Sequence, residues 1–241
     1  MPQTTDRWEA FSDRVGVYPT PAAPVGTDAL LLADFSAPGK DERVCDLGSG
    51  CGVIPLYWNR DPALPSAGAV VDAVELEEEA AACCARSVER SGLAGRIRLH
   101  RADLRHLEGL LPAEGYDRVT GNPPYFPAGE KGARGLPLSA ARRMARFEAG
   151  PDQPGCTFRD MARAAARLLK NGGCFCLCHR PERLTDVLAV LRETGLEPKR
   201  LRLVGGEPGA EPFLFLCEAR KGSRPGLKME IQTVSGEDKP E

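Results

Sequence analysis

Two consecutive prolines, Pro123 and Pro124, constrain the fold more than any other feature of the chain. They follow the apolar run 116–120, and a proline has no amide hydrogen to donate to a neighbouring strand. The strand must therefore end in a stiff turn, Gly-Asn-Pro-Pro-Tyr-Phe at 121–126. This turn presents the side-chain amide of Asn122, the carbonyls of Asn122 and Pro123, and the ring of Tyr125. Carbonyl oxygens can accept both N–H groups of an exocyclic amine while the ring stacks on its plane, but an ordinary proline-terminated strand is the open alternative.

A glycine-rich stretch, Asp-Leu-Gly-Ser-Gly-Cys-Gly at 46–52, follows a second apolar strand and precedes a helical run at 53–59. Val53 stands where the dinucleotide fingerprint has its third glycine, so a pyrophosphate cradle is only weakly supported. The glycines still allow a ligand to approach the backbone, and amides at a helix start suit a carboxylate. Glu75 ends the next strand, 23 residues after Gly52, and is placed to accept both hydroxyls of a ribose. Asp103 ends a third strand.

Seven apolar strands alternate with helical runs, at 43–47, 69–76, 96–100, 116–120, 174–178, 200–204 and 213–219. This alternation predicts an α/β sheet that is parallel except for an antiparallel edge hairpin formed by the last two strands. Ligands bind beyond the carboxyl ends of such strands, so Asp46, Glu75, Asp103 and Asn122 are expected to share one crevice. We divide the chain into a lead-in with a helix capped by Thr27 or Asp28 (1–43), an α/β domain (44–220) and a polar tail (221–241), of which at least the last dozen residues are expected to be mobile.

Composition points to a cytoplasmic globular protein. The 241 residues are 42% hydrophobic, and no apolar run reaches the ~20 residues of a membrane span. Residues 1–11 lack the apolar core of a secretory signal, and an odd number of cysteines, nine, suits a reducing compartment. Cys174, Cys176 and Cys178 alternate along one strand and are expected to pack in the core. No cysteine shows the spacing of a metal site, so no metal is expected.

The charge of the chain is unevenly distributed. Residues 1–130 hold 12 Lys and Arg against 20 Asp and Glu, whereas residues 131–224 hold 18 against 10. A basic half suggests a nucleic-acid partner, although arginines on solvated helices are the open alternative. The segment 126–156 is too long for a simple connector, so it is either disordered or functional. We expect it to close over RNA through Phe126, Lys131, Arg134, Arg142, Arg143 and Arg146.

The motifs Asp-Leu-Gly-Ser-Gly-Cys-Gly, Glu75, Asp103 and Asn-Pro-Pro-Tyr resemble those of class I S-adenosylmethionine-dependent methyltransferases that act on amino nitrogens. The resemblance implies a Rossmann-like seven-stranded sheet and S-adenosylmethionine as the cofactor. It implies that the loop faces the methionine moiety, that Glu75 holds the ribose, and that Asp103 and Leu104 contact the adenine. The full implied cofactor set is Thr27, Asp46, Gly48, Ser49, Gly50, Gly52, Glu75, Leu76, Asp103, Leu104 and Asn122. The implied catalytic set is Asn122, Pro123, Pro124 and Tyr125.

A closer resemblance is to the tRNA1(Val) adenine-N6 methyltransferases, which act at position 37 of the anticodon loop. It rests on Gly-Thr-Asp-Ala-Leu-Leu-Leu at 26–32, Ala-Arg-Phe-Glu at 145–148, His-Arg-Pro-Glu-Arg-Leu at 179–184 and Lys-Gly-Ser-Arg-Pro-Gly-Leu-Lys at 221–228. Phe147 stands where that family implies histidine. The implied partner is tRNA or another structured RNA. Three alternatives stay open: glutamine-N5 methylation of a release factor, guanine-N2 methylation of ribosomal RNA, and a non-catalytic RNA-binding module.

Overall fold

The computed structural model describes residues 7–125, 148, 155–207 and 209–234. All six residues predicted to contact RNA, and Phe147, lie outside these ranges. The expectation that segment 126–156 closes over RNA therefore stays a prediction.

Ten strands and five α-helices make up the described part of the chain. The strands are β1 (Glu9–Ala10), β2 (Gly16–Val17), β3 (Arg43–Leu47), β4 (Val70–Glu75), β5 (Ile97–Arg101), β6 (Tyr116–Gly121), β7 (Leu169–His179), β8 (Leu196–Gly205), β9 (Leu214–Lys221) and β10 (Lys228–Thr233). The helices are α1 (Thr27–Phe35), α2 (Val53–Trp58), α3 (Glu78–Arg90), α4 (Phe158–Leu168) and α5 (Leu184–Glu193). Short 3₁₀ turns lie at Pro65–Gly68 and Pro181–Arg183.

Eight of the strands form one sheet, in the order β10-β8-β9-β7-β6-β3-β4-β5, and β1 and β2 pair separately. Strand β9 runs antiparallel to both of its neighbours, and every other pairing in the sheet is parallel. The α/β class and the β8–β9 hairpin confirm the prediction. The predicted count of seven strands is wrong, because β10 adds an eighth. The hairpin is also not at the edge, since β10 covers β8.

Strand β10 falls within the stretch predicted to be a polar tail. Arg202 on β8 bonds across to Glu230 and Gln232 on β10, at 2.8 and 3.2 Å. The chain then returns Val234 to the core, where its side chain is buried and its amide donates to Gly205. The expected mobility is therefore wrong for residues 230–234, while the division of the chain at residue 221 stays a prediction. Backbone pairing and polar cross-strand contacts, not apolar burial, hold this strand.

The core lies on both faces of the sheet. On β7, Cys174, Cys176 and Cys178 pack on the face shared with α1, α2 and α3. Phe175 and Leu177 point to the opposite face, against α4 and α5. The alternation predicted for the cysteines is thus confirmed, and all nine cysteines are free thiols. No helix in the described ranges is long and apolar enough to cross a membrane.

Candidate active site

The register of the sheet brings the predicted site residues together at one end of its parallel strands. Leu47 on β3 pairs with Val74 on β4 and with Gly121 on β6, and Gly121 pairs in turn with Leu177 on β7. Four groups therefore lie at the same level of four adjacent strands: the glycine loop after β3, Glu75 at the end of β4, Asn122 after β6 and Cys178 near the end of β7. This is the carboxyl end of the parallel strands, where α/β sheets bind ligands.

The glycine loop needs its glycines for backbone and packing reasons. Gly48, Gly50 and Gly52 have φ values of +70°, +55° and +87°, in the left-handed region that disfavours other residues. A Cβ at Gly52 would lie 2.7 Å from the sulfur of Cys84 on α3. The amides of Gly48 and Ser49 donate to the carbonyl of Val74, at 2.9 and 3.0 Å. The loop is thus folded tightly onto the ends of β3 and β4.

Glu75 closes this loop from the end of β4. Its Oε2 accepts the amide of Gly50 at 2.8 Å, and its Oε1 accepts the amide of Glu77 at 2.7 Å. Burial raises the pKa of Glu75, although these backbone hydrogen bonds act to lower it. Each carboxylate oxygen retains a second lone pair, so the group can still accept hydroxyl donors from a diol. Leu76, next in the chain, is partly exposed beside it.

Asp46 lies buried at the end of β3 with half of its carboxylate unsatisfied. Its Oδ1 accepts the hydroxyl of Thr120 at 2.6 Å, and Ser49 donates to its main-chain carbonyl at 2.9 Å. Its Oδ2 is buried and has no hydrogen-bond partner. Burial raises the pKa of Asp46 to about 7. An orphaned carboxylate oxygen beside a glycine-rich loop fits a ligand that brings a positive charge or a donor.

Asp103 forms an ion pair with a neighbouring arginine, and Leu104 packs in the core. Arg105 holds the Asp103 carboxylate through Nε and Nη2, at 3.0 and 2.6 Å. Partial burial acts to raise the pKa of Asp103, but the hydrogen bonds from Arg105 outweigh it and the pKa lies below its usual value. Leu104 is buried in the core and also lines a separate cavity of about 260 Å³ between this loop and α4. The Asp-x-Arg spacing was the signal that could have predicted the ion pair.

The Asn-Pro-Pro-Tyr turn is held by a polar group that the sequence did not predict. Pro123 and Pro124 are buried, and Asn122 and Tyr125 are half-buried. Asn122 Nδ2 donates to Asp28 Oδ2 at 3.1 Å, and the Tyr125 hydroxyl lies 2.7 Å from that same oxygen. The hydroxyl also lies 2.7 Å from Asn122 Oδ1, which accepts the thiol of Cys178 at 3.2 Å. We call Asp28, Asn122, Tyr125 and Cys178 the Asp28 cluster.

Asp28 reaches this cluster from the first turn of α1. The cap of that helix is Gly26, so the predicted cap at Thr27 or Asp28 is wrong. Thr27 opens the helix and is half-buried next to Asp28. Only the motif Gly-Thr-Asp marked this position in the sequence. Nothing local could pair it with Asn122, which lies 94 residues further along the chain.

His179 ends β7 beside the cluster, with its ring centroid 5.3 Å from that of Tyr125. It is fully buried, its Nδ1 accepts the amide of Arg180 at 2.8 Å, and its Nε2 has no partner. Desolvation lowers the pKa of His179 to about 4, so the imidazole is neutral at neutral pH. The residue therefore adds no charge to the site.

A second polar group lies on β7 and β9. The sulfurs of Cys174 and Cys176 and a carboxylate oxygen of Glu218 lie within 4.8 Å of one another. The guanidinium of Arg118 approaches the sulfur of Cys176 to 3.4 Å and bonds Glu42 at 3.1 Å. A side chain thus already supplies positive charge at this cluster.

Comparison with known proteins agrees with this geometry. The family model of the methyltransferase small domain matches residues 9–136. A protein of Tolumonas auensis named tRNA1(Val) (adenine(37)-N6)-methyltransferase is 31% identical over 195 residues, which cover 81% of this chain and 75% of that protein. A protein of Erwinia tasmaniensis with the same name is 34% identical over 157 residues. That match covers 65% of this chain and only 58% of the Erwinia protein.

Solved structures share the fold. The crystal structure of a protein from Agrobacterium tumefaciens, described as a predicted O-methyltransferase, has a TM-score of 0.65 and 25% identity, covering 86% of each chain. TrmN from Thermus thermophilus has a TM-score of 0.52 and 24% identity, covering 80% of this chain and 48% of that one. The class I methyltransferase fold implied by the sequence is confirmed. The match over residues 9–136, together with the Tolumonas relative, shows that this chain belongs to the methyltransferase small domain family.

Proposed function

We propose that this protein methylates the N6 amine of an adenine in RNA, with adenine 37 of tRNA1(Val) as its target. The observation that carries the proposal is the setting of Asn122, whose amide leaves the sheet at the level of the glycine loop. The amide nitrogen is bound to Asp28. Its oxygen accepts the thiol of Cys178 and retains a second lone pair that can accept another donor. The names of the Tolumonas and Erwinia relatives support the choice of substrate.

The cofactor is S-adenosylmethionine, which supplies a methyl group already activated on a sulfonium. Asp46, Gly48, Ser49, Gly50 and Gly52 would line its methionine side, because the three glycines of the loop have no side chains to hinder a close approach. The Glu75 carboxylate would hold the ribose hydroxyls with its remaining lone pairs. The residues that complete the set are Thr27, Leu76, Asp103, Leu104 and Asn122. Asp46 Oδ2 is buried and unpaired, and because the pKa of Asp46 is about 7, a cationic ligand near it would favour the ionised carboxylate.

Asn122 and Pro123 would act on the target amine. The lone pair of an aromatic amine is delocalised into its ring, so it is a poor nucleophile. Two carbonyl acceptors, Asn122 Oδ1 and the main-chain carbonyl of Pro123, would hold both N–H bonds and stabilise the charge that develops on nitrogen. Pro124 has no amide hydrogen to compete for those acceptors. No strong base is needed, and the neutral His179 agrees with this.

The basic half of the chain supports an RNA substrate. Residues 131–224 hold 18 Lys and Arg against 10 Asp and Glu. We infer that Phe126, Lys131, Arg134, Arg142, Arg143 and Arg146 contact RNA around the target base, since they directly follow the Asn-Pro-Pro-Tyr turn in sequence. A single-stranded loop base can be splayed into a pocket at modest cost. A tRNA substrate also implies a cytoplasmic location.

The test is transfer of tritiated methyl groups to tRNA, followed by digestion to nucleosides. We expect N6-methyladenosine as the labelled product. Asn122→Ala should lower the single-turnover rate by ~10²–10³-fold, as loss of one preorganised group does at other sites, while calorimetry shows nearly unchanged binding of S-adenosylmethionine. Asn171→Ala, the same change at an exposed position on β7, is the matched control.

Two results would contradict the proposal. Label found only in protein would select the glutamine alternative, and no transfer at all would select the RNA-binding module. An unchanged single-turnover rate in Asn122→Ala would reject the role of this side chain.

A further inference from the structure

Asp28 is the only carboxylate of the Asp28 cluster, and all of its contacts there are donors. Its Oδ1 accepts the amide of Ala29 at 2.8 Å, within the first turn of α1. Its Oδ2 faces both Asn122 Nδ2 and the Tyr125 hydroxyl, at 3.1 and 2.7 Å. A carboxylate at a helix N-terminus is favoured by the helix dipole. The side chain is thus held at both oxygens in a fixed direction toward the Asn-Pro-Pro-Tyr turn.

These contacts decide which end of the Asn122 amide faces which way. A carboxylate can only accept hydrogen bonds, so it binds the NH₂ end of the amide and repels the oxygen. The thiol of Cys178 lies on the other side, 3.2 Å from Asn122 Oδ1. Burial raises the pKa of Cys178, so the thiol keeps its proton and can donate it. Rotating the amide by half a turn would set two acceptors against each other at Asp28 and would leave the NH₂ end with only the weakly accepting sulfur of Cys178, which also lies 3.2 Å from the Tyr125 hydroxyl.

Asp28 also determines where the Tyr125 proton lies. The hydroxyl has one hydrogen, and both Asp28 Oδ2 and Asn122 Oδ1 are 2.7 Å from its oxygen. Burial raises the pKa of Tyr125, so this proton stays in place. Hydrogen bonds to an ionised acceptor are the stronger ones, so the proton points to Asp28. A lone pair of Asn122 Oδ1 is then left available for another donor.

Gly26 adds an independent observation. A Cβ on this residue would collide with Oδ1 of Asp28. The backbone of Gly26, with φ −98° and ψ 149°, is a conformation that any residue adopts. The space that glycine leaves here is therefore required by the carboxylate and not by the turn.

We propose that Asp28 is a positioning residue that orients the Asn122 amide and keeps its oxygen free to accept the N–H of the target amine. The inference rests on the proposed function, because it assigns that oxygen to a substrate amine. Asp28 itself touches neither the substrate nor the methyl donor. It acts through Asn122 and Tyr125.

The experiment compares Asp28→Asn with Asp34→Asn in the full-length protein. Asp34 lies on the same helix, with its side chain 53% exposed, and its carboxylate accepts Nη2 of Arg60 at 3.1 Å. In Asp28→Asn the new amide can donate to Asn122 Oδ1, and the Tyr125 proton can turn to that oxygen as well. We expect the single-turnover rate to fall by roughly 10- to 100-fold with Kd for S-adenosylmethionine and KM for tRNA nearly unchanged. Asp34→Asn should match the wild type.

Two further variants separate positioning from folding. Gly26→Ala keeps the carboxylate but displaces it, and should lower the rate in the same way, with unchanged cofactor affinity. In a Tyr125→Phe background no hydroxyl proton competes for Asn122 Oδ1, so Asp28→Asn should cost less there than in the wild type.

The two proposals fail in different ways. If the wild type makes N6-methyladenosine and Asp28→Asn does so at the same rate, the role of Asp28 is refuted while the proposed function stands. Equal losses of rate and of cofactor affinity would mark a merely structural role and would also refute it. If the wild type makes no N6-methyladenosine, the proposed function fails. The rates of the wild type and of Asp28→Asn are then compared on whichever acceptor is labelled. Equal rates on that acceptor refute the role of Asp28.

Discussion

Replacing Asp46 by asparagine should change how the stability of the protein depends on pH. Burial raises the native-state pKa of Asp46 to about 7, from an ordinary value of 3.8. Between these two values the native state binds a proton that the unfolded chain does not. The contribution of this carboxyl group to stability is therefore highest at or below about pH 4 and is lost as the pH rises to about 7. At 1.36 kcal/mol for each pH unit, the contribution of this one group to the free energy of unfolding falls by about 4 kcal/mol.

Asp46→Asn removes this dependence and keeps the acceptor that Thr120 uses. The asparagine cannot ionise, and its oxygen can still accept the Thr120 hydroxyl. Its amide nitrogen would replace the unpartnered Oδ2, at a cost of ~1–3 kcal/mol at every pH. The variant should be less stable than the wild type near pH 4 and as stable or more stable near pH 8. Other titrating groups, such as Glu75, are present in both proteins, so the difference between the two curves isolates Asp46.

The assay is urea unfolding followed by tryptophan fluorescence, since Trp58 is fully buried. Free energies of unfolding are measured for both proteins at several values between about pH 4 and about pH 8. Parallel curves, with the same difference at both ends, would refute the reasoning. Thr120→Val, which keeps the shape of the side chain, is a second test. It removes a hydrogen bond that lowers the pKa of Asp46, so the loss of stability with rising pH should extend to a higher pH than in the wild type.

Two further predictions concern packing and the edge of the sheet. Gly52→Ala and Gly92→Ala both place a side chain at positive φ, which should lower the free energy of unfolding by ~1–2 kcal/mol in each variant. Only the new Cβ at position 52 would contact a neighbouring atom, the Cys84 sulfur at 2.7 Å. Overpacking should add ~1–3 kcal/mol at Gly52; equal melting temperatures for the two variants would contradict this. Removal of residues 228–241 should expose the outer edge of β8 and cause self-association in light scattering, whereas a truncated protein that stays monomeric at all concentrations would show that β10 does not protect that edge.

The sequence predicted the elements whose signals are local. Apolar runs that end in Gly, Pro or acidic residues placed the ends of β3, β4 and β6 within one residue of where they lie. Strand β10 was missed because its two large apolar side chains, Met229 and Ile231, are 64% and 83% exposed. Strand β10 therefore lacks the buried apolar side chains by which the other strands of the sheet were predicted. What holds the strand is the backbone ladder to β8 and the contacts of Arg202, neither of which composition reveals.

Within the site, the same distinction applies. The residues at strand ends could be predicted because parallel strands bring their carboxyl ends together. The partner of Asn122 could not, since Asp28 comes from a helix that precedes the whole sheet. The pairing of Asp103 with Arg105 is local, so the spacing of the two residues is enough to predict it.

The hydrogen bond between Asp28 and Asn122 has a consequence for how the protein matures. It joins two positions 94 residues apart, so it cannot form in a nascent chain until β6 has been synthesised and α1 has docked against the sheet. A chain that has folded its glycine loop but has not formed this hydrogen bond lacks the proposed orientation of the Asn122 amide. Under the proposed role of Asp28, the amide is oriented only once the first helix and the fourth strand of the main sheet have met.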